Sequence, residues 1–120
     1  MVQFLRTDIC VIGAGSGGLS VAAGAVQMGA DVVLVEGGKM GGDCLNYGCV
    51  PSKALLAAGN AAQMHRGARG LGISARAPQV NFEQVMDHVH DVIAGIAPMD
   101  SVERFSKLGV KVIENYGRFI

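Results

Sequence analysis

The chain has 120 residues, half of them apolar, which fits one domain with a core of its own. Ten Lys and Arg balance ten Asp and Glu, so there is no basic excess of the kind that recruits nucleic acid or a membrane surface. Glycine supplies 18 residues, about twice the usual ~7 %, and such an excess needs a backbone reason.

From the N-terminus, Asp8-Ile9-Cys10-Val11-Ile12-Gly13 reads as a buried strand, a short apolar run closed by glycine. Cys10 is expected inside it as a small buried hydrophobe. Ser16 to Met28 reads as a helix rich in small residues, which lie close on a sheet, and Gly29 as its stop. Asp31 to Glu36 is a second strand. Strand, helix and strand together make a βαβ unit with parallel strands. Residues 9–26 are apolar but carry five glycines, follow Asp8 and lack a charged leader, so neither a secretory signal nor a membrane span is expected. The expected location is the cytoplasm.

A glycine-rich loop is expected over 37–42 and a helix over about 51–66, with Pro51 in its first turn. Residues 67–78 read as a loop carrying Arg69 and Arg76. Phe82, Val85, Met86, Val89, Val92, Ile93 and Ile96 then recur at helical spacing as one apolar stripe, broken by Pro98. A shorter helix over 101–108, stopped by Gly109, leads into a third strand over 110–114. Residues 39–76 hold five basic side chains and one acidic, whereas the flanking segments each carry a net charge of −2. Three strands make a narrow sheet for this much apolar helix, so the sequence reads as a piece of something longer.

The glycines 13–18, GAGSGG, match G-x-G-x-x-G in the context that gives the pattern meaning: after a strand, opening a helix, with an acid ending the next strand. Gly13 permits the tight turn, Gly15 lets the backbone approach a pyrophosphate, and Gly18 lets helix and strand pack closely. The phosphates would face the helix N-terminus. Glu36 can accept from a ribose 2′-OH and would repel a 2′-phosphate. The fingerprint does not separate FAD from NAD, since both present an ADP half.

Cys44 and Cys49 stand five apart in GGDCLNYGCVPSK, residues 41–53. No second C-x-x-C accompanies them. His88 and His90 fall about 200° apart on a helix at 100° per residue, so no metal set is expected; they and His65 read as surface. On a regular helix, residues five apart point away from each other and lie beyond the ~7 Å Cα limit for a disulfide. A bridge would need a distorted turn, which Gly48 can supply, and would be strained and easily reduced, as suits a catalytic disulfide. A structural staple and two free thiols are the competing readings. Lys53, four residues after Cys49, would share its helical face, and an ammonium and a helix N-terminus both favour a thiolate.

GGDCLNYGCVPSK resembles the redox-active disulfide of the pyridine nucleotide–disulfide oxidoreductases, whose pattern is GG-x-C-[LV]-N-x-G-C-x-P-[SK]-K. It is most similar to the dihydrolipoamide dehydrogenase and mercuric reductase branch, because Ser52 stands where glutathione-reductase-like members tend to have Lys. The resemblance extends from the glycine fingerprint and Glu36 to the Gly117 segment. It implies an α/β, Rossmann-like FAD-binding domain, incomplete here: residues 1–120 would be its N-terminal part, without the NAD(P)H and dimerisation domains. The implied cofactor is FAD, with NAD(P)H as co-substrate. Gly13, Gly15 and Gly18 would face the pyrophosphate, Glu36 the adenosine ribose, and Gly117 the adenine. Gly41 and Gly42 would let backbone pass close to the cofactor, and Lys53 would sit near the flavin N5. Cys49 would be the charge-transfer thiol and Cys44 the interchange thiol that meets substrate.

The implied substrates are a small or protein-bound dithiol or disulfide, or Hg(II). The implied assembly is a homodimer whose partner subunit supplies a His–Glu acid–base pair, and residues 1–120 alone are expected to be inactive. Asp43 departs from the family's usual Thr; its carboxylate beside Cys44 is expected to raise the thiol pKa or alter the cofactor contact. Two other classes fit parts of the sequence: an NAD-dependent dehydrogenase with incidental cysteines, and a non-catalytic nucleotide-binding module.

Overall fold

The strand Val32–Glu36 (β2) forms the middle of a three-stranded parallel sheet, between Ile9–Ile12 (β1) and Lys111–Glu114 (β3). Leu34 pairs with Val11 on one side and with Val112 on the other. The computed structural model describes residues 2–74 and 76–120. Ala75, inside the loop expected over 67–78, lies outside the described residues.

Between β1 and β2 runs the helix Ser16–Gln27 (α1), and Val102–Leu108 (α5) precedes β3. Both pack on one face of the sheet, around a core of Ala14, Leu19, Ala22, Val32, Leu34, Phe105 and Val110. Phe105 and Leu34 are the largest fully buried side chains, each contributing about 1.5–3 kcal/mol by leaving water. Ser101 starts α5 by accepting the Arg104 N–H at 3.2 Å, and Gly109 ends it in the left-handed region.

Side chains alternate across a strand. Val11, Leu34 and Val112 meet α1 and α5, which leaves Cys10 and Ile12 on the other face. Cys10 is exposed rather than buried, and Ile12 is 49 % exposed. The apolar run told the strand but not that only one face of β1 is covered.

After β2 the expected loop runs to a short helix that the sequence did not announce, Gly42–Asn46 (α2), and the next helix begins earlier than expected, at Cys49–Gly67 (α3). A 3₁₀ turn over Ala68–Leu71 leads toward Phe82–Ile96 (α4), whose bounds match its apolar stripe and whose start Asn81 caps on the Gln84 N–H. A second 3₁₀ turn, Ala97–Asp100, contains Pro98. Helices α3 and α4 pack on each other as a hairpin, with α2 touching both.

This hairpin lengthens the molecule to 70 × 29 × 24 Å, with a radius of gyration of 20.5 Å against about 14 Å for a compact domain of this length. Its accessible surface is 8826 Å², whereas a compact 12.4 kDa monomer exposes roughly 6,100 Å².

Candidate functional site

The glycine fingerprint sits at the carboxyl end of β1. Gly13 adopts φ +103° and its N–H donates to the Val35 carbonyl at 2.8 Å, carrying the turn across to β2. A Cβ on Gly18 would stand 1.9 Å from the Gly13 carbonyl oxygen, so α1 can rest on the turn only with glycine there. At Gly15, the residue that opens α1, a Cβ would meet nothing within 4 Å. The space in front of Gly15 is therefore open, and the first N–H groups of α1, which have no intrahelical acceptor, border it. These features fit the phosphates of a dinucleotide.

Glu36 closes this cradle from β2. One carboxylate oxygen accepts the Ala14 N–H and the other the Gly38 N–H, each at 2.6 Å. The sequence pointed to a ribose ligand; the carboxylate also clamps the fingerprint turn to the end of β2. Each oxygen keeps a second lone pair for a sugar hydroxyl.

The cysteine motif is built against the same turn. The Gly41 N–H donates to the Ala14 carbonyl at 2.9 Å, and a Cβ on Gly42 would lie 2.7 Å from the Gly15 Cα. The Asn46 amide donates to the carbonyls of Met40 at 3.1 Å and Gly42 at 2.8 Å, fixing α2 to its own approach loop. Asn46 lies within the motif, but its spacing gave no role for it.

Cys44 lies in α2 and Cys49 opens α3, so the chain breaks between them, at Tyr47 and Gly48. Gly48 takes φ −116°, ψ −108°, and the Asp43 carbonyl accepts the N–H groups of Tyr47 and Gly48 at 2.8 and 2.6 Å. This distorted turn brings the cysteines together, as the helical-wheel argument required. No bond joins the Cys44 and Cys49 sulfurs in this structure.

The Cys44 thiol is held above its ordinary pKa. The main cause is its hydrogen bond with the Cys49 thiol, followed by partial burial and the charge on Cys49. The Cys49 backbone N–H and the Lys53 ammonium oppose this without overcoming it. The charge of Lys53 is thus felt at Cys44. The Asp43 carboxylate is not among the groups that raise Cys44. It lies instead beside Gly48, where Oδ2 would be 2.9 Å from an added Cβ.

Cys44 lines a cavity of about 310 Å³ bounded by α1, α2, α3, the end of α4, α5 and the 3₁₀ turn before α5; Cys49 is not in its lining. At the C-terminal end, Gly117 lies on Ile12, with an added Cβ 3.2 Å from Ile Cγ2, and the Tyr116 ring lies on Gly37. The Gly117 segment thus comes to the sheet end that carries Gly13 and Glu36. The histidines are exposed. His65 and His88 line a cavity of about 620 Å³ between α3 and α4 whose lining includes neither Cys44 nor Cys49. Among the described residues, no group of three or more His, Cys, Asp or Glu could hold a metal ion.

Residues 7–117 match the family model described as pyridine nucleotide-disulphide oxidoreductase. The chain belongs to that family. Its α/β fold, with a parallel sheet and a dinucleotide cradle, is that of a partial Rossmann-like domain. Among its curated relatives, a dihydrolipoyl dehydrogenase of Pseudomonas aeruginosa is 34 % identical over 127 aligned residues, covering 100 % of this chain and 26 % of that protein. One from Haloferax volcanii is 42 % identical over 114 residues, 94 % of this chain and 23 % of the relative. One from Staphylococcus aureus is 43 % identical over 89 residues, 74 % of this chain and 19 % of the relative. The chain thus spans about a quarter or less of the length of these oxidoreductases. Among the described residues of this family member, no helix is long and apolar enough to cross a membrane.

Proposed function

We propose that this chain forms the dinucleotide cradle and redox-active cysteine pair of an FAD-dependent, dihydrolipoyl dehydrogenase-like disulfide oxidoreductase. The observation that carries this reading is the contact of Gly42 with Gly15, which joins the cysteine motif to the cradle. Dihydrolipoyl dehydrogenase is the name of the relatives above, and nothing here favours Hg(II) as substrate over a dithiol.

Gly13, Gly15 and Gly18 would hold the pyrophosphate, Glu36 the ribose, and the Gly117 segment the adenine. Gly41 and Gly42 keep the backbone narrow where the cofactor passes, and Lys53 lies toward the flavin. When bound, FAD supplies a two-electron relay between NAD(P)H and the cysteine pair. Cys49 is assigned the flavin side and Cys44 the substrate side, supported by the cavity that Cys44 lines and Cys49 does not. Cys44 exchanges with substrate sulfur, and Cys49, already in contact with it, closes the disulfide.

Nicotinamide binding, the dimer contacts and the acid–base pair are assigned to parts of a longer homodimeric, cytoplasmic protein. Residues 1–120 alone bind no second cofactor and do not turn over. The test is spectroscopic. The intact protein is expected to be yellow and to gain long-wavelength absorbance on titration with NADH or dithionite, and Cys49→Ser is expected to abolish that band. A colourless intact protein would sink the reading. Activity on a nicotinamide substrate that survives alkylation of both thiols would transfer it to an NAD-dependent dehydrogenase, which the same cradle could serve.

A further inference from the structure

The helix that carries Cys44 has little of its own to hold it. α2 spans five residues, Gly42–Asn46, and a helix so short makes too few backbone hydrogen bonds to stand by itself. It hangs between two weak points. On its N-terminal side Gly41 and Gly42 both take left-handed backbone, at φ +88° and +59°, and glycine loses more conformational freedom on being fixed than any other residue. On its C-terminal side the chain breaks at Tyr47 and Gly48. The cap position belongs to Gly41, which has no side chain to cap with.

One side chain spans the glycine pair. The half-buried Asn46 amide donates to the carbonyl of Met40, before the pair, at 3.1 Å, and to that of Gly42, at its end, at 2.8 Å. Two carbonyl oxygens can be met together only by the NH₂ group, so both of its hydrogens are committed to this bridge. The chain it reaches is itself anchored: Met40 packs against the main core, and the Gly41 N–H donates to the Ala14 carbonyl. Buried Leu45 packs over Gly41 as well. Apolar contact has no direction, however, whereas two hydrogen bonds fix how α2 is turned.

The sulfur so positioned is that of Cys44, two residues before Asn46. Its thiol is in hydrogen-bond contact with Cys49, and a disulfide needs Cα atoms about 4.4–6.8 Å apart with a narrow choice of dihedral. Freedom given to α2 reduces the time the two sulfurs spend in that window.

We propose, resting on the disulfide oxidoreductase reading, that Asn46 is a positioning residue for the redox pair: by bridging Met40 and Gly42 it sets the effective concentration of the Cys44 sulfur at Cys49, and with it the stability of the Cys44–Cys49 disulfide. Asn46 acts through the place of α2. Without the bridge the open dithiol gains conformational freedom that the closed disulfide lacks, so the disulfide becomes easier to reduce.

The test is an equilibrium, measured on the intact flavoprotein without air in mixtures of reduced and oxidised dithiothreitol. The S–S bond of the oxidised probe breaks, the Cys44–Cys49 bond forms, and the two cysteine protons end on the reduced probe. Acid quench, alkylation and mass spectrometry give the disulfide fraction with no flavin turnover in the readout. Asn46→Ala is expected to lower the constant for forming the protein disulfide about tenfold, the scale of one or two hydrogen bonds, which equals a rise of about 30 mV in reduction potential. Asn46→Asp keeps the shape, removes both donors and is expected to match or exceed that loss. Asn46→Ser keeps one donor that can reach the carbonyl four residues back, and is expected to fall about threefold, between the two limits. Asn81→Ala takes the same side chain from the start of α4, where it caps the Gln84 N–H. It is the control for mere loss of stability, expected to lower the melting temperature and leave the constant alone.

A constant that rises, that stays put in Asn46→Ala and Asn46→Asp, or that Asn81→Ala shifts equally would overturn the positioning role while the redox pair stands. If Asn46→Ala does not fold, Asn46→Ser decides: its fall supports the role, and an unchanged constant overturns it. Unsubstituted protein that forms no Cys44–Cys49 disulfide in any mixture would sink the disulfide reading itself.

Discussion

Gly42 lies against Gly15: a Cβ at Gly42 would stand 2.7 Å from the Gly15 Cα, and Gly42 itself holds φ +59°. The residue that leads into the cysteine helix and the residue that opens the cradle helix are thus in backbone contact. With the Gly41 N–H donating to the Ala14 carbonyl, this contact joins the cysteine loop to the glycine turn through backbone.

Gly42→Ala is expected to break that junction. The obstacle is backbone, which cannot rotate away, and the left-handed φ adds about 1 kcal/mol or more. A loss of about 2–4 kcal/mol is expected, with flavin released during gel filtration of the intact protein. Unchanged melting and retained yellow colour would show that the contact is slack.

Gly18→Ala is expected to do comparable damage from the other side of the turn. Its Cβ would overlap the Gly13 carbonyl at 1.9 Å and approach Val11 Cγ1 at 3.2 Å. The helix must lift from β1, which opens the core at Leu19 and Ala22. Gly24→Ala, on the same helix with nothing within 4 Å of its Cβ, is the matched control and should be neutral or slightly stabilising. Equal melting temperatures for the two variants would contradict the packing described.

The pH dependence of Cys44 has a definite sign. Alkylation requires the thiolate, and the hydrogen bond that the Cys44 thiol donates to Cys49 is the largest cause that raises the Cys44 pKa. Cys49→Ala is therefore expected to shift the Cys44 alkylation profile to lower pH and to speed the reaction with iodoacetamide at pH 7. Lys53→Met removes a charge that lowers the pKa, so it should shift the profile to higher pH and slow the reaction. Rates for the two variants moving in the same direction would refute this account.

The 120-residue chain expressed by itself is expected to behave as an oversized, sticky particle. It exposes 8826 Å², roughly 2,700 Å² more than a compact protein of its mass. Ile12, Leu55, Leu56, Phe82 and Phe119 are among its exposed apolar side chains. Early elution, concentration-dependent association and strong binding of an apolar dye should follow. A compact, dye-silent monomer at all concentrations would contradict the extended shape.

Much of this protein is local in origin, and so it was readable in the sequence. The strand–turn–helix at Gly13 to Gly18, the stripe that sets Phe82–Ile96, and the Ser101 and Gly109 limits of α5 depend on residues a few positions apart. Periodicity, caps and glycine conformations act over that range. A bridge at the cysteine spacing would likewise need a broken helix between Cys44 and Cys49, and the helix does break there, at Tyr47 and Gly48. The sequence alone could not say which strand face is covered, so Cys10 was misjudged. Nor could it place Asp100 and Arg104 beside Cys44, or bring Tyr116 onto Gly37. Those neighbours lie 56 to 79 residues apart along the chain, and only the packing of α1 and α5 on one sheet face, with the return of β3 beside β2, brings them into contact.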